Sequence, residues 1–244
     1  MRGAGGKAWA LALAALLGWS AAGLRARERS LPRYSARQIL AQMLKAQARQ
    51  AVFSCDMEKS EYSDDSDTPD RRFTGTLRVK RGGKARYEVA EPSPQLLICD
   101  GRTLYMVLPQ AKQVMEQGEA QMKTSGQFFL DLASSIRYYS KAGLARLVPV
   151  GPEFKGRDVE ALQLTPRDPD SAGFDRAVFW VDLRRWVVLK AGLLSGASRI
   201  EVRFTDIRAY TMEEVKKDPR KDLPDALFRY HVPDGYEVFN SLLP

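Results

Sequence analysis

The sequence predicts an α+β fold in which helices cover the concave, apolar face of a curved antiparallel sheet of about ten strands. Residues 75–109 contain four short segments of strand-like alternation, joined by glycine and proline turns. Two segments with helical spacing stand among many strands, without the regular alternation of a parallel βαβ fold. So many strands force a sheet to curl, and a helix-covered concave face is a candidate pocket for an apolar ligand. A dry core that the helices complete is the alternative.

The start of the chain has the features of a secretory signal peptide. Two basic residues precede a short apolar run, and the small residues 20–22 match the positions that signal peptidase reads. The apolar run is shorter than the roughly 20 residues of a membrane span, and no cysteine follows it for lipid attachment. We expect residues 1–22 to be removed, with cleavage after Ala26 or an uncleaved anchor as alternatives. Residues 27–244 are then expected to form one exported, soluble domain.

The chain is basic, with a formal net charge of +8 at pH 7. The charge falls by two when Arg2 and Lys7 leave with the signal peptide. An exported chain rarely meets nucleic acid, so we expect no such partner and favour attraction to anionic membrane surfaces or acidic partners. A solvated surface that keeps the protein soluble explains the charge equally well.

One amphipathic helix is predicted to open the domain, and one strand to follow it. Residues 35–38 have the spacing of a capping box, and apolar residues then recur at helical spacing. Over residues 51–62 the pattern changes to a period of two, which places Phe53 and Met57 on one side of a strand. The acidic residues 63–69 are expected to be a solvated loop.

Two hairpins are predicted next, and they supply most of a candidate cavity. Gly82-Gly83 turns the chain between two alternating strands, and Asp100-Gly101 is a strong hairpin signal between two more. The apolar members of the alternating strands are expected to face the side that the helices cover. The residues predicted to line the cavity are Phe53, Met57, Leu77, Val79, Tyr87, Val89, Leu104 and Met106.

Arg81 breaks the alternation of the strand before Gly82. It has the same parity as Leu77 and Val79, so a strand that continued to the turn would point the guanidinium toward the apolar face. An unpaired cation there would be unfavourable, so an inward Arg81 needs acceptors such as helix ends and loop carbonyls. The alternative is that the strand ends before Arg81 and the side chain swings outward.

The second half of the sequence continues the pattern without a second domain boundary. Residues 127–139 have one apolar helical face. Residues 213–222 are expected to be an exposed turn of helix or a loop, and residues 228–238 to close the sheet around Pro233. The further strand-like segments are residues 113–115, 144–150, 159–164, 177–183, 187–193 and 200–207.

Cys55 and Cys99 are the only cysteines, and an even number in an exported chain is compatible with a disulfide. The predicted strand order argues against this bridge, because the first and fourth strands are three spacings, or about 14 Å, apart. A disulfide needs Cα atoms within about 7 Å of each other. We expect two buried thiols without a bridge.

The sequence contains no pattern typical of a catalytic or metal site. His231 is the only histidine, which leaves no zinc-type cluster, and its neighbours resemble an ordinary strand. Residues 196–198 begin like a nucleophile elbow, but Ile200 stands where the second glycine is needed. We expect neither an enzyme nor a cofactor or metal ion.

Residues 77–109 carry a specific combination of motifs. These are Val79-Lys80-Arg81 at a strand end, Tyr87, the turn at Pro92, Leu97-Ile98 before Asp100-Gly101, Thr103-Leu104-Tyr105 and the turn at Pro109. The combination resembles the periplasmic outer-membrane lipoprotein carrier family LolA, within the lipoprotein-sorting superfamily. The resemblance extends to most of the chain, although residues 211–224 have no clear counterpart and Gly82 stands where the family often has proline.

The resemblance implies a half-barrel closed by a helical lid, which acts as a chaperone in lipoprotein transport. Its apolar cavity would shield acyl chains of lipoproteins or lipids across the periplasm, between an inner-membrane releasing complex and an outer-membrane acceptor. Arg81 matches the basic residue that latches the family's lid by hydrogen bonds. We expect a monomer. A lipid- or lipoprotein-binding sensor of the same fold, and an interaction domain without a ligand cavity, are the alternatives.

Overall fold

The computed structural model of the protein describes residues 34–63, 67–118, 144–166 and 174–240. These residues form one sheet of twelve strands with few helices, so the predicted fold class is confirmed, with two strands more than the expected ten or so. The predicted helix over residues 127–139 lies outside the described residues. The strands are β1 (Gln50–Tyr62), β2 (Arg71–Lys80), β3 (Lys84–Glu91), β4 (Gln95–Asp100), β5 (Thr103–Leu108), β6 (Gln113–Gly118), β7 (Leu144–Val148), β8 (Val159–Thr165), β9 (Arg176–Asp182), β10 (Val187–Ser195), β11 (Ser198–Thr211) and β12 (Glu237–Asn240).

The strand order is β12-β6-β5-β4-β3-β2-β1-β11-β10-β9-β8-β7. From β1 to β6 each strand pairs antiparallel with the next, which confirms the predicted meander. Strand β1 also pairs with β11 and joins this meander to a second one, β7 to β11. The inherent twist of strands makes a sheet of this width curl. All of the described helices and strands belong to one compact unit, Ser35–Pro244.

Two helices flank the strands in the described part of the chain. The first, α1 (Ala36–Arg49), begins with the predicted capping box, in which Ser35 and Gln38 each accept the other's backbone N–H through the side chain. Its buried side chains pack against β7 and β8. The second, α2 (Met212–Lys217), agrees with the exposed helical turn predicted for residues 213–222. Neither helix has the length and apolar character needed to cross a membrane.

Two tight turns lie side by side at one end of β2 to β5. Gly82 adopts a φ of 93°, a conformation that glycine reaches without steric strain. Asp100 Oδ1 accepts the backbone N–H groups of Arg102 and Thr103 at 2.8 Å each, which fixes the β4–β5 turn. A Cβ on Gly101 would lie 2.5 Å from the carbonyl oxygen of Gly82, so the two turns pack closely only because this residue is glycine.

The C-terminal segment differs from the prediction. Residues 228–238 do not close the sheet as a long strand; a 3₁₀ turn covers Asp225–Phe228, and only β12 joins the sheet, parallel to β6. Pro233 has no backbone N–H to offer a ladder, and its carbonyl accepts the N–H of Tyr236 at 3.3 Å. The chain therefore turns where a strand was expected.

The same segment covers one face of β3, β4 and β5. Phe228 is 1% exposed, and the Tyr230 ring lies 5.4 Å from the Tyr105 ring between centroids. Ile98 and Val107, which share the side of Tyr105, are also buried. We call this side of β2 to β5 the covered face.

Candidate functional site

The eight side chains predicted to line a cavity all lie opposite the covered face. Side chains alternate along a strand, and directly paired residues of neighbouring strands share a side, so the register decides their placement. The connecting pairs are Phe53–Val79, Met57–Gly75, Gly75–Val89, Leu77–Tyr87, Tyr87–Leu97, Leu97–Met106, Val79–Ala85, Ala85–Cys99 and Cys99–Leu104. We call this side of β1 to β6 the apolar face.

The eight side chains divide into two groups by exposure. Met57, Leu77, Val89 and Leu104 are buried. Met57 and Leu77 belong to one packed cluster with Cys55 and Val202, and Leu104 belongs to a second with Ala85 and Cys99. Phe53, Val79, Tyr87 and Met106 are half-buried, and the first three of them pack against the clusters. The half-buried group therefore keeps apolar surface on which a ligand can lie.

A cavity of about 310 Å³ opens beside the middle of β2, the last residues of β3 and the first residues of β4. Its lining includes Gly75, Val89, Leu96 and Pro109. The volume is at the lower end of the range for small-molecule sites. Of the eight predicted residues only Val89 reaches this cavity, so the other seven belong to the apolar face but not to this opening.

Arg81 lies outside the apolar face. Strand β2 ends one residue earlier, and the Arg81 side chain is exposed in the following turn. Its backbone N–H donates to the carbonyl of Ala51 at 2.8 Å, which fixes the main chain at this position. The exposed side chain agrees with the outward alternative, whereas the bond to Ala51 continues the β1–β2 register by one residue, as the inward orientation requires. Nothing in the described residues tests the latch that Arg81 is expected to form, so the latch stays a prediction.

The basic residue before Arg81 makes a set of polar contacts. Lys80 Nζ donates to Asp222 Oδ2 at 2.9 Å and to the carbonyl of Leu223 at 2.7 Å, and it lies 2.9 Å from Asp225 Oδ1. Lys84 Nζ lies 2.9 Å from Asp225 Oδ2, so one carboxylate bridges both lysines.

A third basic residue of the hairpin completes this set. Arg86 donates from Nη1 to the carbonyl of Leu227 at 3.1 Å. We call Lys80, Lys84 and Arg86, with their acceptors in residues 222–227, the clamp. The clamp fastens the C-terminal segment onto the covered face directly before Phe228.

The clamp is ionic at neutral pH. Hydrogen bonds from Lys80 and then from Lys84 lower the pKa of Asp225 to about 2. Burial disfavours the charged form of Lys80, but hydrogen bonds to Asp222 and Asp225 outweigh this effect and raise the pKa of its ammonium group. Both partners are therefore charged over a wide range of pH.

The sequence did not predict the clamp, because basic residues that alternate with apolar ones along a strand are expected to face solvent. Lys80, Lys84 and Arg86 do point away from the apolar face, as their alternation predicts. The available signal was the pairing of this basic stripe with the acidic residues around Asp222 and Asp225. Only the fold brings these two distant segments together.

The two cysteines form no disulfide, as predicted. Cys55 lies on β1 and Cys99 on β4, three strands apart, and both are buried on the apolar face. Burial raises the pKa of the Cys55 thiol to about 12, and the nearby Asp56 carboxylate adds to this effect. Cys55 is therefore an apolar core residue and not a nucleophile at neutral pH.

The described ranges bring together no group of three or more His, Cys, Asp and Glu side chains able to hold a metal ion. His231 is exposed in the C-terminal segment. The arrangement of the apolar face is suited to holding apolar groups by contact.

Comparisons with known proteins agree with this geometry. The family model described as "Outer membrane lipoprotein carrier protein LolA" matches residues 61–211. The outer-membrane lipoprotein carrier protein of Dechloromonas aromatica (strain RCB) is 35% identical over 209 residues, which are 80% of this chain and 80% of the relative. The protein of the same name from Cupriavidus pinatubonensis is 30% identical over 168 residues, 69% of this chain and 70% of the relative.

A solved structure has the same fold. An uncharacterized conserved protein from Thermus thermophilus superposes with a TM-score of 0.50 at 12% identity, covering 84% of this chain and 98% of that one. The family match includes Lys80, Lys84 and Arg86, whereas their acceptors in residues 222–227 lie beyond its last residue.

Proposed function

The chain belongs to the LolA family of outer-membrane lipoprotein carrier proteins, and we propose that its apolar face shields the acyl chains of the lipoproteins that it carries. One observation supports this location above the others. All eight side chains predicted to line a cavity share that face, and four of them keep exposed apolar surface. Such a surface binds a ligand by removing its CH₂ groups from water, at about 0.8 kcal/mol for each one buried.

A carrier of this kind has to release what it binds. Burial of a dozen CH₂ groups contributes about 10 kcal/mol to the binding free energy. The cargo would leave too slowly unless closing of the empty protein recovers part of this free energy. Half-buried side chains such as Val79 and Tyr87 suit this task, because they can pack against the protein's own chain when the ligand leaves. We propose that transport proceeds in this way without covalent chemistry.

We propose that Arg81 takes part in the closing step. Its exposed guanidinium offers five donors in the turn after β2, next to Gly82, whose φ is 93°. Helix ends and loop carbonyls of a lid would be suitable acceptors in the closed state. Bonds of this type to a charged group contribute about 1.5 to 3 kcal/mol each.

The proposed setting is the periplasm. Residues 1–22 would be removed on export, and residues 27–244 would act as a monomeric domain between an inner-membrane releasing complex and an outer-membrane acceptor. The signal-like start of the sequence supports this proposal, as do the names of the relatives.

Purified protein incubated with a triacylated lipoprotein in detergent, followed by detergent removal and gel filtration, tests the function. We expect the two proteins to elute together. The same lipoprotein with its amino-terminal cysteine replaced, which removes the acyl chains, should elute alone. Co-elution of both forms would contradict acyl-chain recognition.

A further inference from the structure

A straight row of apolar side chains crosses the sheet at right angles to its strands. Each member is the direct register partner of the next, from β2 to the edge strand β12. The members are Leu77, Tyr87, Leu97, Met106, Met115 and Phe239. Because neighbouring strands lie about 4.8 Å apart, five spacings make the row about 24 Å long. We call it the apolar row.

Exposure increases along the apolar row. Leu77 is 4% exposed, Tyr87, Leu97 and Met106 are half-buried, and Met115 and Phe239 are 37% and 46% exposed. One end of the row therefore lies in the core and the other on the surface. Met115 and Phe239 are also among the few large apolar side chains that the described residues leave exposed.

The two neighbouring rows of the apolar face each end in a glutamine side chain before they reach the edge strand β12. One runs through Val79 and Leu104 and ends in the polar side chain of Gln117 on β6. The other runs through Val89 and ends in Gln95 on β4. Of these three rows, only the apolar row reaches β12 without a glutamine among its members.

We propose that an acyl chain of the cargo enters the protein over Met115 and Phe239 and lies along the apolar row with its methyl end at Tyr87. The proposal rests on the carrier function and names its access route. An acyl chain spans half of a hydrocarbon core of roughly 30 Å, or about 15 Å. The three spacings from β6 back to β3 amount to about 14 Å, so a chain that starts at Met115 ends at Tyr87.

The side chains at the outer end suit a mobile ligand. Met106 and Met115 are unbranched and polarisable, so they can follow a flexible chain that takes several conformations. No charged side chain belongs to the apolar row. An acyl chain on it therefore displaces water from apolar surface without desolvating an ion.

Photo-crosslinking tests the route and its direction. The probes are two palmitoylated lipopeptides, which carry a diazirine either near the carbonyl of one chain or next to its terminal methyl group. We expect the first to label residues 113–118 or 237–240, and the second to label Tyr87 or Leu77, as mapped by mass spectrometry. Reversed labelling, or labelling of the same residues by both probes, would overturn the route.

A matched pair of variants tests the outer end separately. Phe239 and Val238 are neighbours on β12 with exposures of 46% and 45%, but their side chains point to opposite faces. We expect Phe239→Gln to slow lipopeptide uptake about tenfold, which corresponds to an increase of roughly 1.4 kcal/mol in the activation free energy. Val238→Gln should keep the wild-type rate, and equal rates in both variants would overturn the proposal. A wild-type protein that takes up no lipopeptide would instead overturn the carrier function on which the proposal rests.

Discussion

Lys80 of β2 and Asp225 of the C-terminal segment form an ion pair with 2.9 Å between Nζ and Oδ1. The Asp225 carboxylate also contacts Lys84 across the hairpin turn, so it ties both strands of the hairpin to one point of the chain. Phe228 and Tyr230 follow directly and cover the side of the sheet that faces away from the proposed ligand. The clamp thus stabilises the back of the sheet on which the apolar face is built.

The Asp225 carboxyl should titrate with a pKa of about 2, below its ordinary value of 3.8, because the ammonium groups of Lys80 and Lys84 stabilise its charge. A carboxyl whose pKa is lower in the folded state contributes stability above its unfolded pKa of about 3.9, and this is lost as pH falls through about 2. Carbon-detected NMR of the side-chain carboxyl measures this pKa. In Lys80→Met/Lys84→Met we expect it to return toward 3.8, and an unchanged low pKa would contradict the clamp.

Lys190 should contribute more to the free energy of unfolding than a surface lysine does. It is 9% exposed, and its Nζ lies 3.0 Å from Glu201 and 3.3 Å from Glu153. Lys190→Met removes the nearest cation from two partly buried carboxylates, although Arg199 still lies 3.6 Å from Glu201. We therefore expect the free energy of unfolding to fall by about 2 kcal/mol in urea titrations at pH 7. The exposed Lys216→Met serves as the control. Equal midpoints for the two variants would show that Lys190 contributes no more than a surface charge.

Local patterns predicted the strands of this fold well, for a physical reason. Alternation and the turn signals at Gly82 and Asp100 are properties of neighbouring residues, and they also place Val79 and Tyr87 on one side of the sheet. The exposure of Arg81 depends on how the chain enters the turn after Lys80, which spacing along one strand does not contain.

The clamp and the edge strand depend on still more distant contacts. Asp225 meets Lys80 only because the chain returns across the sheet after β11. Strand β12 is parallel and short, so it has neither a hairpin turn nor a full alternating pattern to indicate it. Reasoning from neighbouring residues therefore gave no means to find Phe239 beside Met115.

The apolar face should lose affinity for an apolar ligand when one half-buried member becomes polar. We expect Val79→Gln to raise the Kd for the neutral dye 1-N-phenylnaphthylamine about tenfold, which is a loss of roughly 1.4 kcal/mol of binding free energy. Arg78→Gln is the control, because Arg78 is the preceding residue of β2 and points to the other side. Fluorescence titration measures both affinities, and far-UV circular dichroism shows that the strands persist. Equal losses in the two variants would place dye binding elsewhere.

Arg81 should act on release and not on binding if it fastens a lid. Arg81→Leu is expected to fold and take up a triacylated lipoprotein normally, but to pass it to acceptor vesicles several-fold more slowly. Arg81→Lys should be intermediate, since an ammonium group keeps the charge but not the planar set of donors. The matched control is Arg102→Leu, an exposed arginine in the adjacent turn. Transfer by Arg81→Leu at the wild-type rate would make Arg81 an ordinary turn residue.

Native mass spectrometry of the protein isolated from the cells that naturally produce it tests the carrier function most directly. We expect part of the wild-type protein to carry the additional mass of an acylated lipoprotein or lipid, and Val79→Gln to carry less of it than Arg78→Gln does. A wild-type protein that shows only its own mass, under gentle conditions that preserve known lipid complexes, would contradict the carrier function.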